Sequence, residues 1–337
     1  MSISTRQKAY ISYYIFQQLL FRKRKYSLVL MLEPLYRCNL KCRGCGKIQL
    51  ADKAPEARLT VEECVAAAEE ANVPVVSITG GEPLLHPDIP EVVTRLTGRR
   101  RFVYLCTNAL LLEKRITEFF PSPFLTFSIH LDGLEDRHDE LACRKGVFAT
   151  AVNAIEMLLR RGFRVTTNTT LFRDDTPENA ASLFDFLTAL GVDGMTVAPA
   201  FNYETAPDRS HFLEDREATR NFFRHVFENG RGRNWQFNHS SVYLDFLAGE
   251  HDFPCTPWGN PTRNVFGWQK PCYLLNDGYA DSYEELLRDT DWEAYGVGRN
   301  PKCNSCMVHC GFEPTAVMES LRNPFRVFES ARHYRFR

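Results

Sequence analysis

From residue 28 to about residue 200 the chain alternates strand-like runs with helical ones, and no other feature limits its possible folds so much. The strand candidates are Leu28 to Glu33, Val75 to Thr79, Phe102 to Cys106, Leu125 to Leu131, Arg164 to Thr170 and Met195 to Ala198. Helical stretches lie between them, with Thr60 to Ala71, Val147 to Arg161 and Pro177 to Leu190 among them. Six strand–helix units in succession predict an α/β fold, a parallel sheet wrapped by helices. Such folds bind their ligands beyond the carboxyl ends of the strands, so those ends carry the functional reading.

Just past the first strand stand Cys38, Cys42 and Cys45, spaced C-x3-C-x2-C. Thiolates so close in sequence read as metal ligands, because soft sulfur selects iron–sulfur clusters, zinc or copper(I). A structural zinc and a cubane cluster each want four ligands, so three cysteines leave a position at which a small molecule can bind. The plain alternative is a zinc knuckle completed from a distance. After the second strand comes Gly80-Gly81-Glu82-Pro83, whose glycines let backbone groups approach a ligand closely. The third strand ends in Cys106-Thr107-Asn108. Ser128, His130 and Asp132 alternate along the fourth and share one face, which leaves Phe127, Ile129 and Leu131 for the helices. Asn168 and Thr170 hold the same place in the fifth. Glu33, the lone charge in the first apolar run, is expected inside. The blander reading makes His130 a backbone partner and Asp132, before Gly133, a turn residue.

After residue 200 the alternation stops. Helical runs from Glu214 to Asn229 and Val242 to Gly249 precede an irregular remainder with Cys272 and Cys303-x2-Cys306-x3-Cys310. Four thiols suit an auxiliary iron–sulfur cluster or a structural zinc, with Cys255 as a substitute ligand and His309 a weaker one. A loop-rich segment of this kind needs a staple. Buried free thiols are the alternative. The expected division is 1–27, an amphipathic helix and basic segment; 28–200, the strand–helix repeat; and 201–337, a smaller cysteine-containing module.

Eleven cysteines, an odd number clustered in two places, predict a reducing cytoplasm rather than a disulfide framework. The 41 basic and 42 acidic side chains nearly cancel and give no support for a nucleic-acid partner. No run reaches membrane-spanning length and the amino-terminal stretch lacks a signal-peptide pattern. Residues 8 to 21, KAYISYYIFQQLLF, do run into Arg22-Lys23-Arg24-Lys25. Such a helix either closes one end of the domain or lies in a membrane interface. The tail from Arg322 to Arg337 is basic too, with Phe325, Phe328, Tyr334 and Phe336. A cytoplasmic protein, peripheral on the inner face of the membrane, is the expectation.

Cys38-x3-Cys42-x2-Cys45 followed by Gly80-Gly81-Glu82-Pro83 resembles the paired signature of radical S-adenosylmethionine (SAM) enzymes. The resemblance implies a partial (β/α)6 barrel in which the three cysteines hold a [4Fe-4S] cluster. Its fourth iron would chelate the amino and carboxylate groups of SAM, with Gly80, Gly81 and Glu82 at the amino group. Asn108, His130, Asp132 and Asn168 are expected to contact cofactor or substrate. Further runs are similar to the hopanoid-biosynthesis radical SAM proteins: Leu32-Glu33-Pro34-Leu35, Cys45-Gly46-Lys47-Ile48-Gln49, His130-Leu131-Asp132-Gly133-Leu134, Phe266-Gly267-Trp268-Gln269 and Met307-Val308-His309-Cys310-Gly311. They imply an adenosyl-hopene transferase activity, the 5′-deoxyadenosyl radical adding to the terminal alkene of diploptene to give adenosylhopane. They also imply a low-potential electron donor such as a flavodoxin or ferredoxin. The radical left on the substrate must gain a hydrogen atom, and Cys106 at a strand end is the candidate donor. Trp235, Phe237, Tyr243, Phe246, Trp258, Phe266 and Trp268 are candidates for the wall of an apolar substrate cavity. The rivals are a radical SAM enzyme that modifies peptides and carries an auxiliary cluster, and a non-catalytic metal protein.

Overall fold

The computed structural model describes residues 3–323 except 204, 205, 207, 209 and 214. The aromatic tail from Phe325 to Phe336, expected to be a lipid contact, lies outside the described residues, as does Pro207. Six parallel strands form in the predicted places: β1 (Val29–Glu33), β2 (Val75–Ile78), β3 (Phe102–Thr107), β4 (Leu125–His130), β5 (Arg164–Leu171) and β6 (Gly194–Pro199). They pair in chain order, so each crossover returns on the same side and the sheet curls into the barrel-like α/β form.

The helices between the strands start and stop where the sequence says. Helix Val61–Glu70 opens on a capping box, the Thr60 hydroxyl accepting from the Glu63 amide while the Glu63 carboxylate accepts from the Thr60 amide. Helix Pro177–Leu190 has Thr176 as N-cap and a proline in its first turn, and it ends at Gly191 in the left-handed region, φ 86°. Leu30, Leu32, Val76, Ile78, Val103, Leu105, Phe127, Ile129 and Val165 point from the strands to these helices and form the core. Alternation turns the other residues inward. Register then aligns Met31 with Ser77 and Ser77 with Tyr104, Cys106 with Ser128 and Thr166, and His130 with Asn168 and Thr196. The inner face is therefore polar.

The sheet does not end at residue 200, which is where the sequence reading expected irregular chain. Strand β7 (Thr262–Asn264) lies parallel on the free edge of β1, and β8 (Gly267–Gln269) and β9 (Tyr279–Ala280) continue it antiparallel, making nine strands. The carboxyl-terminal residues thus share the barrel sheet. At the opposite end, helix α1 (Thr5–Leu20) crosses the amino-terminal ends of the strands. Its Tyr10 ring meets Phe102, and its Gln7 accepts from the Tyr104 hydroxyl at 3.2 Å.

Gln269 anchors the return from β8. Its buried amide nitrogen donates to the carbonyls of Cys272, Tyr273 and Leu275 at 2.8, 3.1 and 2.7 Å, while its oxygen accepts from Asn264 at 3.1 Å. Gln269→Ala would leave those groups without partners and is expected to cost more than about 2 kcal/mol, read from urea unfolding under anaerobic conditions.

Candidate active site

The loop carrying Cys38, Cys42 and Cys45 leaves the carboxyl end of β1 and is held from both sides. On one side the segment after β2 is laced to it. The amides of Thr79, Gly81 and Glu82 donate to the carbonyls of Leu32, Leu35 and Arg37 at 2.8, 2.9 and 2.9 Å. A Cβ on Gly80, whose φ is 102°, would stand 2.4 Å from the Leu35 oxygen, and one on Gly81 would stand 2.2 Å from that of Arg37. Loop-on-loop packing is therefore enough to require both glycines, a reason the sequence reading did not contain. On the other side the Arg43 amide donates to Leu141 at 2.8 Å. Aromatic rings cover the loop glycines, with Phe172 2.6 Å from a Cβ built on Gly44 and Tyr203 2.4 Å from one built on Gly46.

All three thiols are free. The Cys38 sulfur accepts from the Leu40 amide and the Cys45 sulfur from the Lys47 amide, each at 3.4 Å. Burial pushes Cys38 up to about 11. Cys42 goes higher still, through burial and then through the neighbouring charges of Cys45, Asp132 and Cys38. Three soft donors on one loop, each feeling the others and two with backbone N–H groups on sulfur, fit an iron–sulfur cluster by chemistry. Among the described residues no group of three or more His, Cys, Asp or Glu side chains stands as a ready-made single-ion site.

The predicted strand-end residues gather around this loop in distinct ways. Glu82 is fully buried. One oxygen accepts from the Leu84 amide at 2.9 Å and the Thr107 hydroxyl at 2.7 Å, and the other accepts from the Asn108 amide at 2.9 Å. These bonds tie the carboxyl group to the strand ends and position them. Asn108 stands at the cysteines, its amide nitrogen 2.7 Å from the Asn39 oxygen and 3.9 Å from the Cys38 sulfur. His130 meets Asp132 at 2.9 Å, and Asp132 also accepts from the Thr170 amide at 2.7 Å. Burial pulls the His130 pKa down, but Asp132 and Glu82 outweigh it and the net shift is upward. Asn168 faces inward beside His130. Cys106 lies on the inner face of β3, its sulfur 3.5 Å from the Ser77 hydroxyl and in register with Ser128. Burial raises its pKa against the hydrogen bonds of those two serines, which keeps it a thiol.

Glu33 is inside, as expected, and it has a partner that the sequence did not announce. Lys47 lies 3.1 Å from it, and the Tyr36 hydroxyl donates to it at 2.8 Å. The Lys47 ammonium sits 4.3 Å from the centre of the Tyr273 ring. Tyr203 and Tyr273 pack together with Phe201, Leu274 and the cysteines Cys272, Cys306 and Cys310. The Tyr273 hydroxyl is driven up by burial and then by Glu33, Cys45, Cys106 and Cys310, which surround it. Two tyrosines thus separate the first cysteine group from the second.

The second group is a nest of five thiols. Burial and then neighbouring thiols raise Cys255, Cys272, Cys306 and Cys310, Cys272 to about 11 and Cys306 to about 12, while Cys303 is raised by burial and then by Asp277. A Cβ on Gly311 would meet the Cys255 sulfur at 2.5 Å. His309, the weaker candidate ligand, packs tilted against His239 with ring centres 5.4 Å apart, and burial drops its pKa to about 3. The aromatic residues proposed for a substrate cavity are also placed differently. Trp235, Phe237, Tyr243, Phe246 and Trp268 are buried in the core. Phe184 packs on Trp235 and Phe237, Phe312 on Phe246, and Tyr283 on Trp268. Trp258 lies at the α1 end, near Lys25. Phe266 alone of the set borders the cysteine end, stacked on Tyr36. Phe172, Phe201, Tyr203 and Tyr273 supply the apolar wall there.

Residues 32–187 match the model of the Radical SAM superfamily, and residues 195–330 match a domain of unknown function, DUF3463. The chain is 23% identical over 287 residues to a probable GTP 3′,8-cyclase of Methanococcus maripaludis, covering 79% of this chain and 93% of that protein. It is 27% identical over 175 residues to GTP 3′,8-cyclase 1 of Mycobacterium tuberculosis, spanning about half of each, 49%. Among solved structures, Streptococcus suis SuiB bound to S-adenosylmethionine superposes with a TM-score of 0.66 at 20% identity, covering 87% of this chain and 73% of SuiB. SuiB bound to its precursor peptide SuiA gives 0.65 at 18% identity, covering 89% and 74%. These likenesses establish a common fold.

The buried pair makes a sharp test. Lys47→Met strands the Glu33 carboxylate with Tyr36 alone and is expected to cost about 3–5 kcal/mol, whereas Glu33→Gln with Lys47→Met should recover part of that loss in anaerobic urea unfolding. A second test concerns His138, whose Nδ1 accepts from the Asp132 amide at 3.1 Å and whose pKa burial, then His130, lowers to about 4. The unfolded chain takes this proton first, at about pH 6.5. Stability should therefore be full above pH 6.5 and fall by up to about 3 kcal/mol as the pH drops toward 4. His138→Gln should flatten that part of the urea-midpoint profile.

Proposed function

We propose that this chain, whose residues 32–187 match the Radical SAM superfamily model, is a radical SAM enzyme that adds the 5′-deoxyadenosyl radical to the terminal alkene of diploptene, giving adenosylhopane. A [4Fe-4S] cluster held by Cys38, Cys42 and Cys45 would supply the one electron that cleaves SAM to methionine and that radical. Gly80, Gly81 and Asn108 border the cluster-bearing loop and are proposed to receive SAM. His130, Asp132 and Asn168 would orient its polar groups or those of the substrate. Glu82 fixes the segments that carry these contacts. Phe172, Phe201, Tyr203 and Tyr273 keep water from the reacting carbon.

The observation that carries the reading is the Cys106 sulfur on the inner face of β3, 3.5 Å from the Ser77 hydroxyl. Addition to an alkene leaves a tertiary carbon radical that carries the adenosyl group and must gain a hydrogen atom, whereas hydrogen abstraction leaves free 5′-deoxyadenosine and a substrate radical without it. The Cys106 S–H bond breaks, a C–H bond forms, and the sulfur radical takes one electron from a low-potential donor of the flavodoxin or ferredoxin class and one proton from water. Overall, SAM, the alkene, two electrons and one proton give methionine and adenosylhopane. The hopanoid-like sequence runs support the choice of alkene. A water-insoluble substrate would be collected from a bilayer, so the reading includes peripheral contact with the inner face of the membrane.

A second reading, modification of a peptide, is favoured by the nest of five cysteines and by the likeness to the peptide-bound SuiB fold. The nest would hold a second iron–sulfur cluster or zinc in either case.

Anaerobic reaction of the reconstituted protein with SAM, a strong reductant and diploptene should give a mass equal to adenosyl plus hopene plus hydrogen. Formation of 5′-deoxyadenosine alone would leave the radical SAM chemistry intact and turn the search to peptides. Cys106→Ala should still cleave SAM but give the wrong epimer or side products; an unchanged product and stereochemistry would remove Cys106 from the mechanism.

A further inference from the structure

Helix α1 carries apolar side chains on both its inner and its outer side. At 100° per residue Gln7, Ile11, Tyr14, Ile15 and Gln18 lie along one side, and Tyr13, Phe16 and Leu20 lie along the other. The inner side buries Gln7, Tyr14, Ile15 and Gln18: Gln7 accepts from Tyr104, Ile15 is 1% and Gln18 4% exposed, and the Tyr14 hydroxyl donates to the Ser27 carbonyl at 2.9 Å. The apolar side faces out, with Tyr13 59%, Phe16 62%, Leu19 50%, Leu20 65% and Phe21 70% exposed. A surface helix normally keeps its outer side polar. A patch this apolar in nine residues marks a surface with a partner.

The charge beside it says which partner. The first acidic residue of the chain is Glu33, and before it stand six cations, Arg6, Lys8 and Arg22 to Lys25. Arg22, Lys23 and Arg24 are exposed, directly follow the apolar side, and among the described residues make no ion pair. Lys25 is drawn back over Trp258 and Trp292. A second copy of this helix would repel it. No helix among the described residues is long and apolar enough to cross a membrane.

We propose that the outer side of α1, with Arg22, Lys23 and Arg24, docks this protein onto an anionic lipid bilayer. The side chains of Phe16, Leu20 and Phe21 enter the acyl boundary while the cations meet phosphate headgroups. The strands run parallel, with α1 at their amino ends and the cysteine loop at their carboxyl ends, about 20 Å apart for a strand of six residues. Docking would hold the cysteine loop about 20 Å above the bilayer, so a substrate drawn from the lipid must cross that distance along the protein. This gives the membrane contact of the reading above a defined surface, and its test needs neither SAM nor alkene.

The experiment is flotation of the full chain with phosphatidylcholine vesicles, with and without phosphatidylglycerol. The protein should float with the anionic vesicles only. Phe16→Ser with Leu20→Ser should weaken partition at least about tenfold, with the circular dichroism spectrum retained. Leu20→Ser with Phe21→Ser at the helix end is the second variant and should act alike. Arg22→Gln, Lys23→Gln and Arg24→Gln together should lose about fivefold per charge, and raised salt should imitate them. The proposal falls if the wild-type chain stays with the unfloated fraction, if either apolar variant floats as well as wild type, or if the apolar variants convert a dimer to a monomer. Adenosylhopane formed by a chain that does not float would keep the reaction and remove the docking; the reverse result would do the opposite.

Discussion

Glu82 gives up water entirely and receives in exchange the Leu84 amide, the Thr107 hydroxyl and the Asn108 amide. Because its own amide also donates to the Arg37 carbonyl, one residue binds the ends of β2 and β3 and the start of the cysteine loop into a single piece. A buried carboxylate without its donors is costly, so these three segments can hardly separate while the fold persists. The position of every group proposed to meet SAM follows from that knot. The glycine pair before it allows the two loops to approach closely enough for the bonds to form.

The carboxyl-terminal half completes the same end of the barrel. β7 pairs with the free edge of β1, and Gln269 gathers the carbonyls of Cys272, Tyr273 and Leu275. Tyr273 then reaches Lys47, and Lys47 neutralises Glu33 at the end of β1. A continuous set of contacts thus runs from the five-cysteine nest to the first cysteine loop. The nest and the loop are parts of one structure, although 230 residues separate Cys42 from Cys272.

Much of this was legible in the sequence because its signals are local. Apolar alternation located all six barrel strands to within a residue or so. The alternation of Ser128, His130 and Asp132 against Phe127, Ile129 and Leu131 separated the inner face from the core. A lone carboxylate in an apolar run betrayed Glu33. What stayed hidden depends on contacts across long sequence distances. Strands of two or three residues, as in β7 to β9, are too short to show a period. An aromatic residue reads alike whether it lines a cavity or fills a core, so Trp235 and Phe246 were misplaced. Nothing in the neighbourhood of Tyr203 announces that its ring covers Gly46.

That covering has a consequence for how such a chain can vary. Gly44 and Gly46 carry no side chain because Phe172 and Tyr203, from segments following β5 and β6, occupy the space where one would be. A larger residue at either glycine would require a smaller ring opposite it, and a smaller ring alone would open a void beside the cysteines. The two halves of each contact are therefore free to drift only together, so the pairs 44 with 172 and 46 with 203 should leave a covarying imprint across related chains even where neither residue touches a ligand.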